Sequence, residues 1–389
     1  MTTPNSWRSF LMVSLALCIG TAGTALASPL YPLYQQLWQL LPSQITYIFV
    51  AYMFGCLATL LFLGRISNSF GFLRTLQIGL VFVIFGLTLS AIAPTALWLA
   101  LGRFIIGIAS GLISTSAMLG LISTIPKQHQ KNAPQLSSII TVIGFGIGPF
   151  IGGLIAQFST QPLITPYLPI IAAAILCFLG LFFVKVPAFK RQSFSIAARL
   201  EAPAAEYKSL FFIVGFTAFS AFAAFSLFAS LSPSFVKDLI PWHGPLVSGS
   251  AIASILMISA LVQFSAKNLP AHKSLRWGLM TLVLSFILLG LCMIMQWSIL
   301  FFMSDILLGI GHGLSLLGAF GLIHHMTNST NRAAVMSTYL FIGYLGTIVP
   351  IIAVGYLADN FGLTPAVFAF CITVGMLCVS LLYWHKRAV

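Results

Sequence analysis

Three ionisable side chains lie inside long apolar stretches of this sequence, where such residues are rare. Arg103 follows the apolar run ALWLALG, and Asp305 follows SILFFMS. His312 comes seven residues after Asp305, on the same face of a helix and about 10 Å further along its axis. A carboxyl group and an imidazole can both exchange protons, whereas an arginine and an aspartate can also form a fixed ion pair. For Arg103 and Asp305, proton exchange and a fixed ion pair are both open interpretations. For His312 the alternative to proton exchange is a packing role with its ring hydrogen-bonded.

The two charged residues stand at equivalent positions of an internal repeat. RFIIGIASGLISTSAMLGLI begins at Arg103, and DILLGIGHGLSLLGAFGLIH begins at Asp305. The matching pairs are Arg103 with Asp305, Gly107 with Gly309, Gly111 with Gly313 and, approximately, Gly120 with Gly321. Because the charged position is a cation in one copy and an anion in the other, we expect function at this position.

The composition is that of a membrane protein. Hydrophobic residues occupy 59% of the 389 positions and charged residues 6%, which is too little polar surface for a soluble globule. The net charge of +13 comes from basic residues that stand singly at the ends of apolar segments, unlike a nucleic-acid-binding surface. The six cysteines lie inside apolar segments without metal-binding spacing, so we expect neither a metal nor a cofactor.

The apolar stretches predict twelve transmembrane helices of about 20 residues each, because strand-like alternation is missing. The first runs from Arg8 towards Tyr34; Ala25 and Ala27 could mark a cleaved signal peptide, but cleavage would spoil the repeat, so we expect it to be retained. Predicted helices 2 to 12 are 44–64, 75–94, 97–122, 136–158, 165–186, 209–235, 246–266, 277–296, 298–324, 334–358 and 363–385.

The basic residues and a polar stretch predict the topology and the domains. With a cytoplasmic N-terminus, almost every Lys and Arg outside the apolar segments falls on the cytoplasmic side, with Lys237 as the exception. The polar stretch 187–208 then joins two six-helix bundles, 1–186 and 209–389, and both termini are cytoplasmic. Asp305 is the one acidic residue placed within the hydrocarbon; the others are Glu201, Glu206, Asp238 and Asp359.

The loop between predicted helices 2 and 3 reads GRISNSFGFLR and ends at Arg74. It resembles a loop motif of the major facilitator superfamily, in which two glycines, an Asp-Arg pair and basic residues form a latch. Gly64, Gly71 and Arg74 match that motif, whereas Asn68 stands at the Asp position. The resemblance therefore implies a tight turn with a weakened ionic latch.

Helix 5 contains GFGIGPFIGG, which resembles the glycine-rich motif of the antiporter branch of that superfamily. Its residues are Gly144, Gly148, Pro149, Gly152 and Gly153. Glycines let a neighbouring helix approach closely, and the proline bends its own helix. Arg103 with the two glycines that follow it resembles a second family motif, whose intramembrane arginine is associated with proton coupling.

The resemblance covers essentially the whole chain and implies the major facilitator fold. That fold is all-α and integral to the membrane, with twelve transmembrane helices in two pseudo-symmetric six-helix bundles around a central cavity. In the family, helices 1, 4, 7 and 10 line this cavity, so Arg103 and Asp305 would lie on opposite walls. Candidate substrate contacts are Tyr31, Tyr52, Phe219, Phe222 and Gln263. Lipid contact for the phenylalanines and interfacial anchoring for the tyrosines are alternative roles.

These features predict a secondary active transporter that exports a small amphipathic or cationic compound in exchange for protons, by alternating access. Proton-coupled or facilitated uptake of a small metabolite is the alternative, and a receptor-like protein on the same fold that does not transport is a third. Without a GxxxxGK[ST] motif or a paired nucleophile, we expect neither ATP-driven transport nor an enzyme. We expect a monomer in the plasma membrane, the inner membrane of a bacterium, with substrate, protons and lipid as partners and no nucleic acid.

Overall fold

A computed structural model describes residues 7–63, 66–184, 200–234, 244–328 and 331–388. Within these ranges the chain is almost entirely helical and has no β-strand. The twelve apolar helices, α1 to α12, follow the predicted order. Their bounds are Trp7–Ala25, Pro42–Ala58, Phe72–Ala91, Ala96–Thr124, Ala133–Phe158, Tyr167–Leu181, Lys208–Ser230, Pro245–Ser265, Ala271–Met295, Ser298–Met326, Arg332–Phe361 and Leu363–Ala388. The prediction of an all-α membrane protein is confirmed.

Eleven spans among the described residues are long and apolar enough to cross a membrane. The first span covers Trp7–Trp38, because α1 continues through a turn at Ser28–Leu30 into a short helix, Tyr31–Trp38. The remaining apolar helix, α6, has 15 residues. The last two residues of its predicted range, 185 and 186, lie outside the described part of the chain.

The start of the ninth helix differs from prediction because this helix begins with polar residues. The helix α9 starts at Ala271, whereas its apolar stretch predicted a start at 277. His272, Lys273 and Arg276 belong to its first turns, and their polarity hides the helix start from a search for apolar segments. Hydropathy thus marks the part of a helix that lies in hydrocarbon, while the hydrogen-bonded helix continues beyond it.

By contacts, the chain forms two compact units. Unit 1 consists of Met1–Leu30 and Ala51–Ala198, and unit 2 of Tyr31–Val50 and Arg199–Val389. The first half of α2 therefore packs within unit 2, where the Ser43 N–H donates to Asp359 Oδ1 at 3.0 Å. The hydroxyls of Tyr47 and Tyr356 form a second hydrogen bond between these two elements.

Inside unit 1, α3 and α4 pack through apolar side chains at helical spacing. Leu76, Leu80, Val83 and Leu87 on α3 are all fully buried. The side chain of Ile113 on α4 fills the space beside Gly79. This packing fixes the orientation of α4 and therefore the position of Arg103.

Candidate functional site

Asp305 is a buried carboxyl group near the start of α10, with 3% of its surface exposed. Its Oδ2 accepts a hydrogen bond from Ser254 Oγ of α8 at 2.6 Å. Its Oδ1 is also buried and has no hydrogen-bond partner among the described residues. A carboxylate can accept several hydrogen bonds, so one oxygen is held by Ser254 while the other can take a proton or contact a cation.

Arg103 is a buried cation on α4, with 1% of its surface exposed. Its Nη1 donates to the backbone carbonyl of Thr24 in α1, and its guanidinium carbon lies 5.2 Å from the centre of the Tyr52 ring in α2. Unit 1 contains no carboxylate side chain, because the first acidic residue of the chain is Glu201. A carbonyl dipole and an aromatic face therefore stabilise this charge within its own unit.

The repeat in the sequence is also a repeat of contacts. Asp305 lies 202 positions after Arg103, and its partner Ser254 lies 202 positions after Tyr52. In unit 1 the charge on α4 contacts α2, and in unit 2 the charge on α10 contacts α8. The two units thus share one arrangement, which holds a guanidinium against an aromatic ring in unit 1 and a carboxyl against a hydroxyl in unit 2.

The repeated glycines bring the paired helices into backbone contact. A Cβ on Gly107 would overlap the Tyr52 carbonyl oxygen, and a Cβ on Gly309 would come within 2.8 Å of the Ile255 carbonyl oxygen. The same holds one turn further on, where a Cβ on Gly313 would be 2.7 Å from the Ser259 carbonyl oxygen. Small residues at such crossings let transmembrane helices approach closely, so these glycines position both charged side chains.

His312 is the centre of a polar and aromatic cluster in unit 2. Its Nδ1 lies 2.9 Å from Ser259 Oγ, which also accepts a hydrogen bond from Gln263 Nε2 at 3.2 Å. The rings of Phe222 and Phe225 flank the imidazole, with centroids 6.1 and 6.0 Å away. His312 is 5% exposed, so α7, α8 and α10 together enclose it. Three residues singled out from the sequence, His312, Phe222 and Gln263, are therefore brought together here.

The other candidate aromatic residues have separate surroundings. Phe219 is half-buried on α7, and a Cβ on Gly346 of α11 would overlap its backbone carbonyl. Tyr31 is fully buried in unit 2, with its ring centroid 6.4 Å from that of Phe49. Tyr52 lies in unit 1, against Arg103. Phe219 and Tyr31 thus have packing contacts, and their role as substrate contacts stays a prediction.

The glycine-rich face of α5 packs along α1. A Cβ on Gly144 or Gly148 would collide with Thr21 or Ala22 of α1, and a Cβ on Gly152 with Leu26, the residue after α1. These glycines are four residues apart and share one face. Pro149 and Gly153 are buried in the same helix. Successive turns of α5 therefore touch α1 and the residue that follows it, and α1 also supplies the carbonyl that binds Arg103.

The loop before α3 contains a turn that requires glycine. Gly71 has φ +86°, and its N–H donates to the Ser67 carbonyl at 2.9 Å. Arg74 is exposed on the first turn of α3. Asn68 lies in the short helix Ile66–Phe70, but its side chain is outside the described structure, as is all of Gly64.

A cavity of about 440 Å³ in unit 2 lies apart from the residues named above. Gln35, Gln36 and Gln39 line it together with Ser234, which follows α7. Its polar atoms are neutral, and Ser234 Oγ already donates to Gln35 Oε1 at 3.1 Å. None of the candidate site residues lines this cavity.

The partners of the buried charges were missed from the sequence. Ser254, Ser259 and Thr24 are small neutral residues of types common along the whole chain, so nothing in their identity marks them. One signal could have found Ser254, because it stands at the repeat position of Tyr52. The Thr24 contact uses a backbone carbonyl, which no sequence pattern reveals.

This arrangement belongs to a known family of membrane transporters. The profile of the Major Facilitator Superfamily matches residues 13–291, and the chain belongs to that family. The family predicted from the loop and helix motifs is therefore confirmed, and the protein is a major facilitator superfamily transporter.

Individual relatives are distant. The multi-drug resistance efflux pump PmrA of Streptococcus pneumoniae is 23% identical over 295 residues, covering 74% of this chain and 73% of PmrA. The riboflavin transporter RibZ of Clostridioides difficile is 24% identical over 189 residues, covering 48% of this chain and 41% of RibZ.

Solved structures show the same fold at low identity. A bacterial homologue of the human lysosomal transporter Spinster superposes with a TM-score of 0.80 and 14% identity, covering 100% of this chain and 98% of that chain. The POT family transporter PepTSo gives a TM-score of 0.81 with 11% identity, covering 98% of this chain and 99% of that chain. The twelve-helix major facilitator fold predicted from the sequence is thus confirmed.

Proposed function

We propose that this transporter exports a small amphipathic or cationic compound in exchange for protons. The observation that carries the proposal is the environment of Asp305, a buried carboxyl group with one hydrogen bond and one unpaired oxygen. An uncompensated charge in an apolar interior costs several kcal/mol, so this oxygen is expected to bind either a proton or a cationic group at each step. Two ligands that compete for one oxygen are exchanged for each other, which is the basis of antiport.

His312 is proposed as a second proton site on the same helix. It follows Asp305 by seven residues, or two turns, on one face of α10. Imidazole is the side chain whose unperturbed pKa lies closest to neutrality, and Ser259 Oγ lies 2.9 Å from Nδ1 of His312. Asp305 and His312 are therefore proposed as two separate proton-binding positions on this face.

Two findings support export as the direction. PmrA, which aligns with 74% of this chain, is a multi-drug resistance efflux pump. The glycine-rich α5, which resembles the antiporter motif, packs directly against α1. The twelve helices, two bundles and cytoplasmic termini expected from the sequence fit such a monomeric exporter in the plasma membrane.

Proton-coupled or facilitated uptake of a small metabolite is the second candidate. It is favoured by the absence of carboxylates from unit 1 and by Asn68 in place of the aspartate of the loop motif. The similarity to RibZ, a riboflavin transporter, also supports transport of a small metabolite, and it extends over about half of the chain.

Everted membrane vesicles distinguish these functions. Vesicles with an acidic interior should accumulate a fluorescent lipophilic cation when they contain the protein, and a protonophore should release it. Vesicles without the protein are the control. Accumulation that does not respond to the pH gradient would contradict proton antiport, and accumulation only in right-side-out vesicles would favour uptake.

A further inference from the structure

Basic side chains from three helix ends meet in unit 2. His272 at the start of α9 places its Nδ1 3.2 Å from Nε2 of His385 near the end of α12. Arg276, one turn after His272, is close enough to act electrostatically on His385, and His325 at the end of α10 acts on His272 in the same way. Lys386 adjoins His385. We refer to these five residues as the basic cluster.

The basic cluster is positive and exposed on one side. His385 is 4% exposed and forms its base, whereas Arg276, His325 and Lys386 are exposed. Within the described chain, neither Arg276 nor Lys386 has a carboxylate partner. The contact between the two imidazoles joins α9 to α12, the helices that carry Arg276 and Lys386. Among the described residues no three metal-ligating side chains come together, and the surrounding cations repel a metal ion, so an anion is the favoured ligand.

Large aromatic side chains show the depth of the basic cluster in the membrane. Trp277 follows Arg276 on α9, and Tyr383 and Trp384 precede His385 on α12. Their exposed fractions are 56%, 54% and 56%. Exposed tryptophan and tyrosine side chains concentrate at the level of the lipid headgroups. The cationic groups of the cluster therefore lie where lipid phosphates lie.

We propose that the basic cluster binds the headgroup of an anionic phospholipid. The Arg276 guanidinium can bind two phosphate oxygens at once, and the Lys386 ammonium supplies a second positive charge from another helix. Basic pockets between transmembrane helices on the cytoplasmic side bind such headgroups. The acyl chains would lie along the exposed apolar surface beside Trp277 and Trp384. The bound lipid would link α9 to α12, whatever compound the protein transports.

Native mass spectrometry of the purified full-length protein tests this site. We expect phosphatidylglycerol to bind in preference to phosphatidylcholine. Arg276→Gln and Lys386→Gln should each weaken phosphatidylglycerol binding about fivefold, and the double variant about 25-fold. Lys127→Gln, which removes one positive charge from an exposed position in unit 1, is the matched control and should leave binding unchanged. Thermal unfolding of each variant shows that it is folded.

Three results would overturn the proposal. The first is equal binding of the two lipids to the wild-type protein. The second is an equal loss of binding in Lys127→Gln, which would mean that the net charge and not the cluster attracts the lipid. The third is displacement of phosphatidylglycerol by millimolar inorganic phosphate, which would identify a site for a soluble anion instead.

Discussion

Ser254 Oγ donates a 2.6 Å hydrogen bond to Asp305 Oδ2, at the repeat position where Tyr52 faces Arg103 in the other unit. The duplicated architecture thus supplies each buried charge with a neighbour on the helix that its glycines contact. Only the chemistry of the pair differs between the units. This relationship connects the sequence repeat to the proposed exchange, because it leaves the second oxygen of Asp305 unpaired.

The hydroxyl of Ser254 is expected to be necessary for efficient transport. A hydrogen bond to a charged group contributes about 1.5–3 kcal/mol. Ser254→Ala would leave the buried carboxylate without its donor, so we expect gradient-driven transport to fall about tenfold or more. Ser254→Thr keeps a hydroxyl and should retain most activity. Initial rates in proteoliposomes measure both, and wild-type rates in the alanine variant would show that the hydrogen bond is dispensable.

Arg103 should matter for transport more than for stability. Its charge has no carboxylate partner in unit 1, so Arg103→Met, which keeps much of the packing volume, should unfold at the same temperature or higher. Transport should be lost in that variant, and Arg103→Ala should be more damaging than Arg103→Lys, which keeps a cation above Tyr52. Thermal unfolding and transport assays on the same preparations check this. Wild-type transport rates in all these variants would show that Arg103 serves only in packing.

The contact between α5 and α1 should tolerate no additional atom at Gly148. A Cβ there would collide with the Ala22 carbonyl, and such overpacking costs about 1–3 kcal/mol. Gly148→Ala should therefore lower the unfolding temperature by several degrees and impair transport. Gly290→Ala is the matched control, because its Cβ would meet only the Phe368 ring, at an ordinary distance of 3.5 Å. Similar stability of the two variants would argue against close packing of α5.

His312 can be tested separately as a proton site and as a packing residue. Asparagine can still hydrogen-bond to Ser259 but cannot carry a proton at physiological pH. We expect His312→Asn to exchange substrate across proteoliposomes at near wild-type rates, with accumulation driven by a pH gradient strongly reduced. Unchanged accumulation would assign His312 to the packing of α7, α8 and α10.

The sequence was sufficient for the helix order and for the buried charges. A long apolar segment in lipid forms a transmembrane helix, because the helix satisfies its own backbone hydrogen bonds. A single charged residue in such a segment is easily recognised among its apolar neighbours. The exact start of α9 was not predictable from hydropathy, because its first turns carry His272, Lys273 and Arg276. Helix ends depend on hydrogen bonds and on packing as well as on polarity.

The contacts of the site were harder to predict. Which serine meets Asp305 depends on how α8 and α10 cross, and this crossing is set by Gly309 and Gly313 against Ile255 and Ser259. The repeat could have identified Ser254 by its offset from Tyr52, but only if the contact of Arg103 were already known. The basic cluster gathers residues from α9, α10 and α12 that are far apart in the sequence.

The most direct test of the proposed exchange is transport by Asp305→Asn in proteoliposomes. The amide is nearly isosteric and can still accept the hydrogen bond of Ser254, so the protein should fold. Because the amide can neither take up a proton nor balance a cation, we predict loss of transport driven by a pH gradient. The remaining exchange should respond to pH much less than in the wild type, since only His312 is left as a proposed proton site. Wild-type accumulation with wild-type pH dependence in this variant would contradict a coupling role for Asp305.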